Sequence, residues 1–204
     1  AKKSKYSFSQ FLKRFSIVKE EMQIDLDEFD LSYYTYGMSI YKNMPLIEPL
    51  ETKEVKKIYE FVIVLDTSYS IDENLAKRFI SNTYSILSTS NMFYKSCKVH
   101  IIQCDDRIRK DDVISNQNEM DRLLNSFSLI GGGNTDFRPV FSYVNDLVDH
   151  KAFQNLCGLL YFTDGKGIYP KKSPAYKTAF IYLEDYDQSK VPSWAIQYRL
   201  EEKL

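Results

Sequence analysis

Phe61, Val62, Ile63, Val64 and Leu65 form an unbroken apolar run that stops at Asp66. A run of this kind, too short for a helix and rich in β-branched and aromatic side chains, predicts a strand buried on both faces. Such strands belong in parallel sheets covered by helices on each side. Leu156 to Phe162 repeats the pattern and stops before Thr163-Asp164-Gly165, and Cys97–Cys104, Thr178–Leu183 and Ala195–Leu200 are further strand candidates. Helical spacing lies between them. Leu75, Phe79, Ile80, Thr83, Ile86 and Leu87 mark a helix over 72–89, and Met120, Leu123, Leu124 and Phe127 mark another over 117–127. Pro139 suits the first turn of a helix from about 139 to 149. Asp105-Asp106 is turn chemistry, from which Ile108–Ile114 returns as an antiparallel partner. The alternation predicts an α/β, doubly wound fold: a central, mostly parallel sheet of about six strands with helices on both faces.

Residues 1–58 read differently. Ser7 to Val18 carries Phe8, Phe11, Leu12 and Phe15 on one helical stripe, whereas Asp25 to Pro49 mixes aromatics, acids and prolines without sustained periodicity. This stretch is expected to be an N-terminal arm or linker packed on a main domain of residues 59–204. The first residue is Ala, which fits a piece of a longer protein.

Right-handed crossovers place the C-terminal ends of the parallel strands on one edge, where open α/β sheets bind ligands near the switch in strand order. Three loops fall there: Asp66-Thr-Ser-Tyr-Ser70, Gly131-Gly-Gly-Asn-Thr-Asp-Phe-Arg-Pro139 and Thr163-Asp164-Gly165. Asp66, Ser68 and Ser70 alternate, so an extended loop can aim all three at one centre. Thr135 and Asp164 add a hydroxyl and a second carboxylate. Two carboxylates and three hydroxyls, completed by water, suit a hard divalent cation such as Mg²⁺. No His or Cys lies in these loops, which argues against zinc. Each element also has an ordinary use. Asp66 and Ser70 can cap a helix, Thr135 and Asp136 can form a turn and cap, and Asp-Gly at 164–165 can be a β-turn.

Asp105 ends a strand expected to run parallel to the first. It is either a hairpin-turn residue or an acceptor for a metal-bound water. Arg138 pairs with a nearby carboxylate, faces a partner, or is simply solvated.

Other functions lack their residues. Net charge is −1 with both signs interspersed, so a basic nucleic-acid face is absent. Apolar runs are too short to cross a bilayer, and no signal-peptide pattern opens the chain. Cys97, Cys104 and Cys157 are odd in number and form no metal-ligand spacing, which fits buried thiols in a reducing cytoplasm. Gly131-Gly-Gly is not followed by the Gly-Lys-Ser/Thr of a P-loop, and no His-Glu-x-x-His or G-x-S-x-G occurs. His100 and His150 are isolated and expected to be structural. Direct hydrolytic or phosphoryl chemistry would need a base, and the three loops contain no His or Lys.

The set Asp66-x-Ser68-x-Ser70, Thr135 and Asp164 resembles the metal-ion-dependent adhesion site of von Willebrand factor A (VWA) domains, and the resemblance covers residues 60 to about 190. The phrases Asp66-Thr-Ser-Tyr-Ser-Ile71, Gln103-Cys-Asp105, Gly131–Pro139 and Phe162-Thr-Asp-Gly165 are similar to the VWA-like C-terminal domain of a bacterial family of unknown function. In that family an upstream domain is identified as a metallopeptidase. Tyr69 stands where Gly is common, and Asn134 interrupts a Gly run; neither change removes a ligand.

The resemblance implies a Rossmann-like VWA fold and a site for Mg²⁺, Mn²⁺ or Ca²⁺ built from Asp66, Ser68, Ser70, Thr135 and Asp164. Tyr69, Asp105, Asp136 and Arg138 would lie around it. It further implies a metal-dependent protein-binding role, in which the cation keeps one position for an acidic side chain of a partner, and it points to a MoxR-type AAA+ ATPase as that partner. The alternative it carries is an accessory domain of a metallopeptidase-like protein whose catalytic part lies upstream.

Overall fold

The computed structural model describes residues 7–42, 44–68, 71–89, 93–183 and 186–200; within these, the side chains of 19, 20, 23 and 93–96 are not described. In chain order the elements are α1 (Phe8–Leu12), β1 (Ile17–Phe29), α2 (Leu31–Tyr41), β2 (Pro49–Asp66), α3 (Glu73–Thr89), β3 (Phe93–Cys104), β4 (Ile108–Ile114), α4 (Gln117–Asn125), α5 (Arg138–Asp149), β5 (Leu156–Thr163), β6 (Thr178–Tyr182) and β7 (Ile196–Arg199). Short 3₁₀ turns follow α1, at Lys13–Phe15, and precede β7, at Gln188–Lys190. No described helix is long and apolar enough to cross a membrane.

The chain divides into two compact units, one containing Ile58 onward together with the residues up to Ser16, the other Ile17–Lys57. In the first, the strand order is β4-β3-β2-β5-β6-β7. β2 pairs in parallel with both β3 and β5, β6 and β7 continue in parallel, and β4 returns antiparallel to β3. The apolar run of β2 therefore occupies the middle of the sheet, and Phe61 through Leu65 are fully buried. Alternation along β2 splits the core into two layers. Val62 and Val64 join Leu159, Tyr161, Phe180 and Tyr182 under Val140, Phe141 and Val144 of α5. On the opposite face, Phe79 of α3 stacks on Phe162 at 4.2 Å and Phe15 meets Phe61 edge-on at 5.5 Å. Each fully buried side chain of this size contributes about 1.5–3 kcal/mol, so both layers hold the sheet rigid.

The stripe of Phe8, Phe11, Leu12 and Phe15 gives a shorter helix than the expected 7–18. Ser7 and Gln10 form a capping box at its start, and after Phe15 the chain turns into β1. This segment groups with the sheet because Gly158, in the middle of β5, leaves room for it. A Cβ there would lie 2.3 Å from Cδ1 of Phe15. Lys177 Nζ also donates to the carbonyl of Arg14 at 2.7 Å.

Residues 17–57 contain more regular structure than the sequence reading expected. β1 pairs antiparallel with the first part of β2, from Ile17↔Lys57 to Phe29↔Pro49, with irregularities after Met22 and Asp25. Asp30 caps α2 by accepting from the Ser32 amide at 2.7 Å. α2 has no charged residue, and Leu31, Tyr33, Tyr36, Met38, Ile40 and Tyr41 are all exposed, so the polar stripe that marks a surface helix is missing.

Candidate metal site at the sheet edge

β2 runs toward β3 on one side and is joined by β5 on the other, so the strand order reverses between β2 and β5. That reversal is where an open sheet forms its crevice. Asp66 ends β2, and Thr163 ends β5 directly beside it, since Leu65 is in register with Phe162. Asp66 is fully buried, and Ser68 and Asp164 are also buried. The Thr163 hydroxyl donates to Asp66 Oδ2 at 2.6 Å, and the Ser68 amide donates to Asp66 Oδ1 at 3.0 Å. Asp164 Oδ1 accepts the Lys166 amide at 2.9 Å, and its Oδ2 lies 3.3 Å from Lys166 Nζ.

Burial pushes the Asp66 carboxyl above the usual carboxylate range. The bonds from Thr163 and Ser68 oppose this, and the negative charge of Asp164 adds to it. Two buried carboxylates thus lie at one sheet edge, with Asp66 in the field of Asp164. Asp66 ends β2 with Ser68 just beyond it, and Asp164 follows the end of β5 beside it. Tyr69 and Ser70 lie outside the described residues.

The glycine-rich loop is fastened to the same edge. The Gly132 amide donates to the Thr67 carbonyl at 2.8 Å, and the Thr67 amide donates to the Cys104 carbonyl at 2.9 Å. Gly131 packs so closely on Thr67 that a Cβ would lie 2.2 Å from Thr67 Oγ1. Thr135 is half-buried; its Cγ2 would lie 2.7 Å from a Cβ on Gly167, just beyond Asp164-Gly165. The loop that carries Thr135 therefore reaches the loop that carries Asp164.

The remaining expected residues fall into ion pairs. Asp136 grips Arg138 through Nε to Oδ1 at 2.9 Å and Nη2 to Oδ2 at 2.6 Å, and Asp136 Oδ1 takes the Arg138 amide at 3.0 Å. Asp136 therefore satisfies the first amide of α5, and Arg138 pairs with a neighbouring carboxylate, one of the roles its sequence position allowed. Asp105, fully buried, takes Arg109 Nε at 2.8 Å on Oδ1 and Arg109 Nη2 at 2.6 Å on Oδ2. It also accepts the amides of Asp106, Arg107 and Gly133. Burial works to raise this carboxyl, but Arg109 and the surrounding donors outweigh it and hold it well below the usual range. Its acceptor positions are taken by protein groups rather than offered to a bound water.

Sequence reading missed Thr163, Gln103 and Arg109. Thr163 was visible as the residue before Asp164. Arg109 carried no signal, because its partner is set by the β3–β4 turn.

His100 Nδ1 pairs with Asp111 Oδ2 at 2.9 Å on the β3–β4 pair, with Tyr143 donating to the same oxygen at 2.9 Å. His150 Nδ1 contacts the Asp146 carbonyl at the end of α5. Neither histidine belongs to the three loops.

The donor chemistry admits a hard cation. Among the described residues no group of three or more His, Cys, Asp and Glu could hold a metal ion. The acidic and hydroxyl side chains at this edge, Asp66, Ser68, Thr135 and Asp164, are oxygen donors of the kind that suits Mg²⁺ or Mn²⁺.

A family model described as a VWA-like domain (DUF2201) matches residues 61–201. The chain belongs to this VWA-like family. The match begins with the apolar run of β2 and takes in all three loops. Solved structures similar to the VWA-like domain include a von Willebrand factor type A protein from Catenulispora acidiphila, with TM-score 0.50 and 9% identity over 74% of this chain and 40% of that one. The SpRpn10 VWA domain is also similar, with TM-score 0.51 and 8% identity over 70% of this chain and 88% of that one. At such identities the likeness concerns the fold. No curated protein matches the chain significantly.

Proposed function

We propose that the VWA-like domain is a metal-dependent protein-binding module. Asp66, Ser68, Ser70, Thr135 and Asp164 would hold one Mg²⁺ or Mn²⁺, and the bound cation would offer an open coordination position to a carboxylate. The observation that carries this reading is the pair of buried carboxylates, Asp66 and Asp164, at the β2–β5 switch point, where burial first and the charge of Asp164 in addition raise the cost of charging Asp66. A divalent ion offsets that cost, and a partner's acidic side chain then completes its oxygen shell. Ser68 and Thr135 contribute neutral oxygens, which keep the net charge of the loaded site low. Lys166, largely exposed beside Asp164, favours an incoming anionic group. The partner class follows from the family resemblance: a MoxR-type AAA+ ATPase presenting an acidic residue.

Calorimetric titration with Mg²⁺ and Mn²⁺ tests the site. Binding is expected in the wild type and absent in Asp66→Ala; equal affinity in the variant would overturn the reading. Capture of a MoxR-type ATPase is expected with Mg²⁺ and lost with chelator or with Ser70→Ala. Retention under both conditions would place the binding surface elsewhere.

A further inference from the structure

The loop that carries Thr135 is held by two buried polar side chains at the end of β3. Gln103 near the end of β3 and Asp105 just beyond it both reach the loop with their side chains. Gln103, 1% exposed, donates through Nε2 to the Ser128 carbonyl at 3.1 Å and accepts the Ile130 amide on Oε1 at 2.8 Å. Asp105 accepts the Gly133 amide on Oδ2 at 3.2 Å, while its backbone carbonyl takes the Asp136 amide at 3.0 Å. Residues 128 to 136 are thus tied to β3 at four points, two on either side of the Gly132–Thr67 bond. Such a loop has little regular backbone pairing of its own, so these acceptors set its path.

The Asp105 carboxylate is itself oriented. Arg109 reaches across the β3–β4 turn and binds both oxygens, fixing the plane of the carboxylate so that Oδ2 faces Gly133. Arg109 Nη2 is also within 3.4 Å of Asp106 Oδ1, which anchors the guanidinium from its outer side. A buried carboxylate without this partner would carry an uncompensated charge and would not keep a defined orientation.

We infer that Gln103 and the Asp105–Arg109 pair are positioning residues for the metal site, setting the place of Thr135 without belonging to the ligand set. This inference rests on the metal-binding reading above. Metal affinity at a hydroxyl-rich site depends on preorganisation, because neutral ligands contribute little unless held at the right distance. Loss of either clasp should leave every proposed ligand present and still weaken binding.

The test uses Gln103→Leu, Asp105→Asn and Arg109→Met in the same chain. Residue-resolved hydrogen exchange of the metal-free protein reads the clasp, and calorimetric titration with Mn²⁺ reads its consequence. In Gln103→Leu the Ile130 amide is expected to exchange at least about tenfold faster. In Asp105→Asn and Arg109→Met the Gly133 amide is expected to do so, while amides of β5 and α3 keep wild-type rates. Mn²⁺ affinity is expected to fall about tenfold or more in all three, the range seen when groups that orient metal ligands are removed. Should Asp105→Asn fail to fold, Gln103→Leu and the more exposed Arg109→Met decide the matter. Faster loop exchange with unchanged Mn²⁺ affinity overturns the positioning role, as does unchanged exchange at Ile130 and Gly133. Wild-type protein that takes up no Mn²⁺ overturns the metal reading, and this inference with it.

Discussion

The hydroxyl of Thr163 donates to Oδ2 of Asp66 at 2.6 Å, joining the ends of β5 and β2 where the strand order reverses. Both residues are fully buried. Thr163 in turn accepts the Gly165 amide at 3.0 Å, so one hydroxyl orients the first carboxylate and shapes the turn behind the second. Thr163→Val should remove both bonds and leave a buried carboxylate short of a donor, with a loss of about 1.5–3 kcal/mol. Thr163→Ser should retain most of the stability. Urea denaturation of the metal-free variants measures the difference, and equal midpoints for Val and wild type would show that the bond contributes nothing.

Asp66 makes stability depend on pH in a predictable direction. Its folded pKa lies above the ordinary value of 3.8, through burial first and the Asp164 charge in addition. The folded state therefore prefers the protonated form. That stabilisation is complete below the ordinary value and is lost as pH rises through the folded one. In chelator at pH 7, Asp66→Asn is expected to melt above wild type, with the gap closing below about pH 4. The same variant should bind no Mg²⁺. A lower melting temperature for Asp66→Asn at neutral pH would contradict the charge argument.

Gly131 is predicted to tolerate no side chain. A Cβ would meet Thr67 Oγ1 at 2.2 Å and the Thr67 carbonyl oxygen at 2.7 Å. Gly131→Ala should cost about 1–3 kcal/mol and displace the loop that carries Thr135. Chemical denaturation reads the first effect and Mn²⁺ titration the second. Gly131→Ala at wild-type stability would mean that the loop is free to move away from Thr67.

Cys97 and Cys104 should be unreactive in the native protein. Burial pushes both thiols up to about 12, so hardly any thiolate exists at pH 8. Peptide mapping after iodoacetamide treatment should find neither residue modified until denaturant is added. Rapid modification of Cys104 in folded protein would show that the end of β3 opens readily.

Thr135→Ala should change stability by no more than about 1 kcal/mol, because it removes a small half-buried hydroxyl at the sheet edge, whereas Ser68→Ala also removes a side-chain donor to the buried Asp66 and should cost about 1–2 kcal/mol. Their Mg²⁺-dependent capture of the proposed ATPase partner should fall sharply. Thermal melting and pull-down on the same preparations separate the two effects. Full capture by both variants would count against a metal bridge.

Sequence alone determined the sheet and the loops that end at its edge. The run Phe61 to Leu65 can be buried on both faces only inside a covered parallel sheet, and Asp66 follows it directly. Buried strand composition and helical spacing are local properties, so α3, β4, α4, α5, β5 and the C-terminal part of β2 from Glu60 were legible close to their observed limits, whereas the part of β2 from Pro49 was not.

Residues 17–57 were not read correctly. The exposed Met22, Ile24 and Leu26 alternate with polar residues in β1, but irregular pairing interrupts the period, and the uncharged α2 lacks an amphipathic stripe. The carboxylate partners were equally hidden. Asp105 read as either a hairpin-turn residue or an acceptor for a metal-bound water. Only the fold shows Arg109 and the Gly133 amide occupying its oxygens, because Arg109 is folded back from β4 by the turn and Gly133 comes from a loop twenty-eight residues downstream. Hydrogen bonds between residues distant in the chain leave no periodic trace. Tertiary structure therefore decided which acids at the sheet edge are bound by arginine and backbone amides and so hold the loops in place.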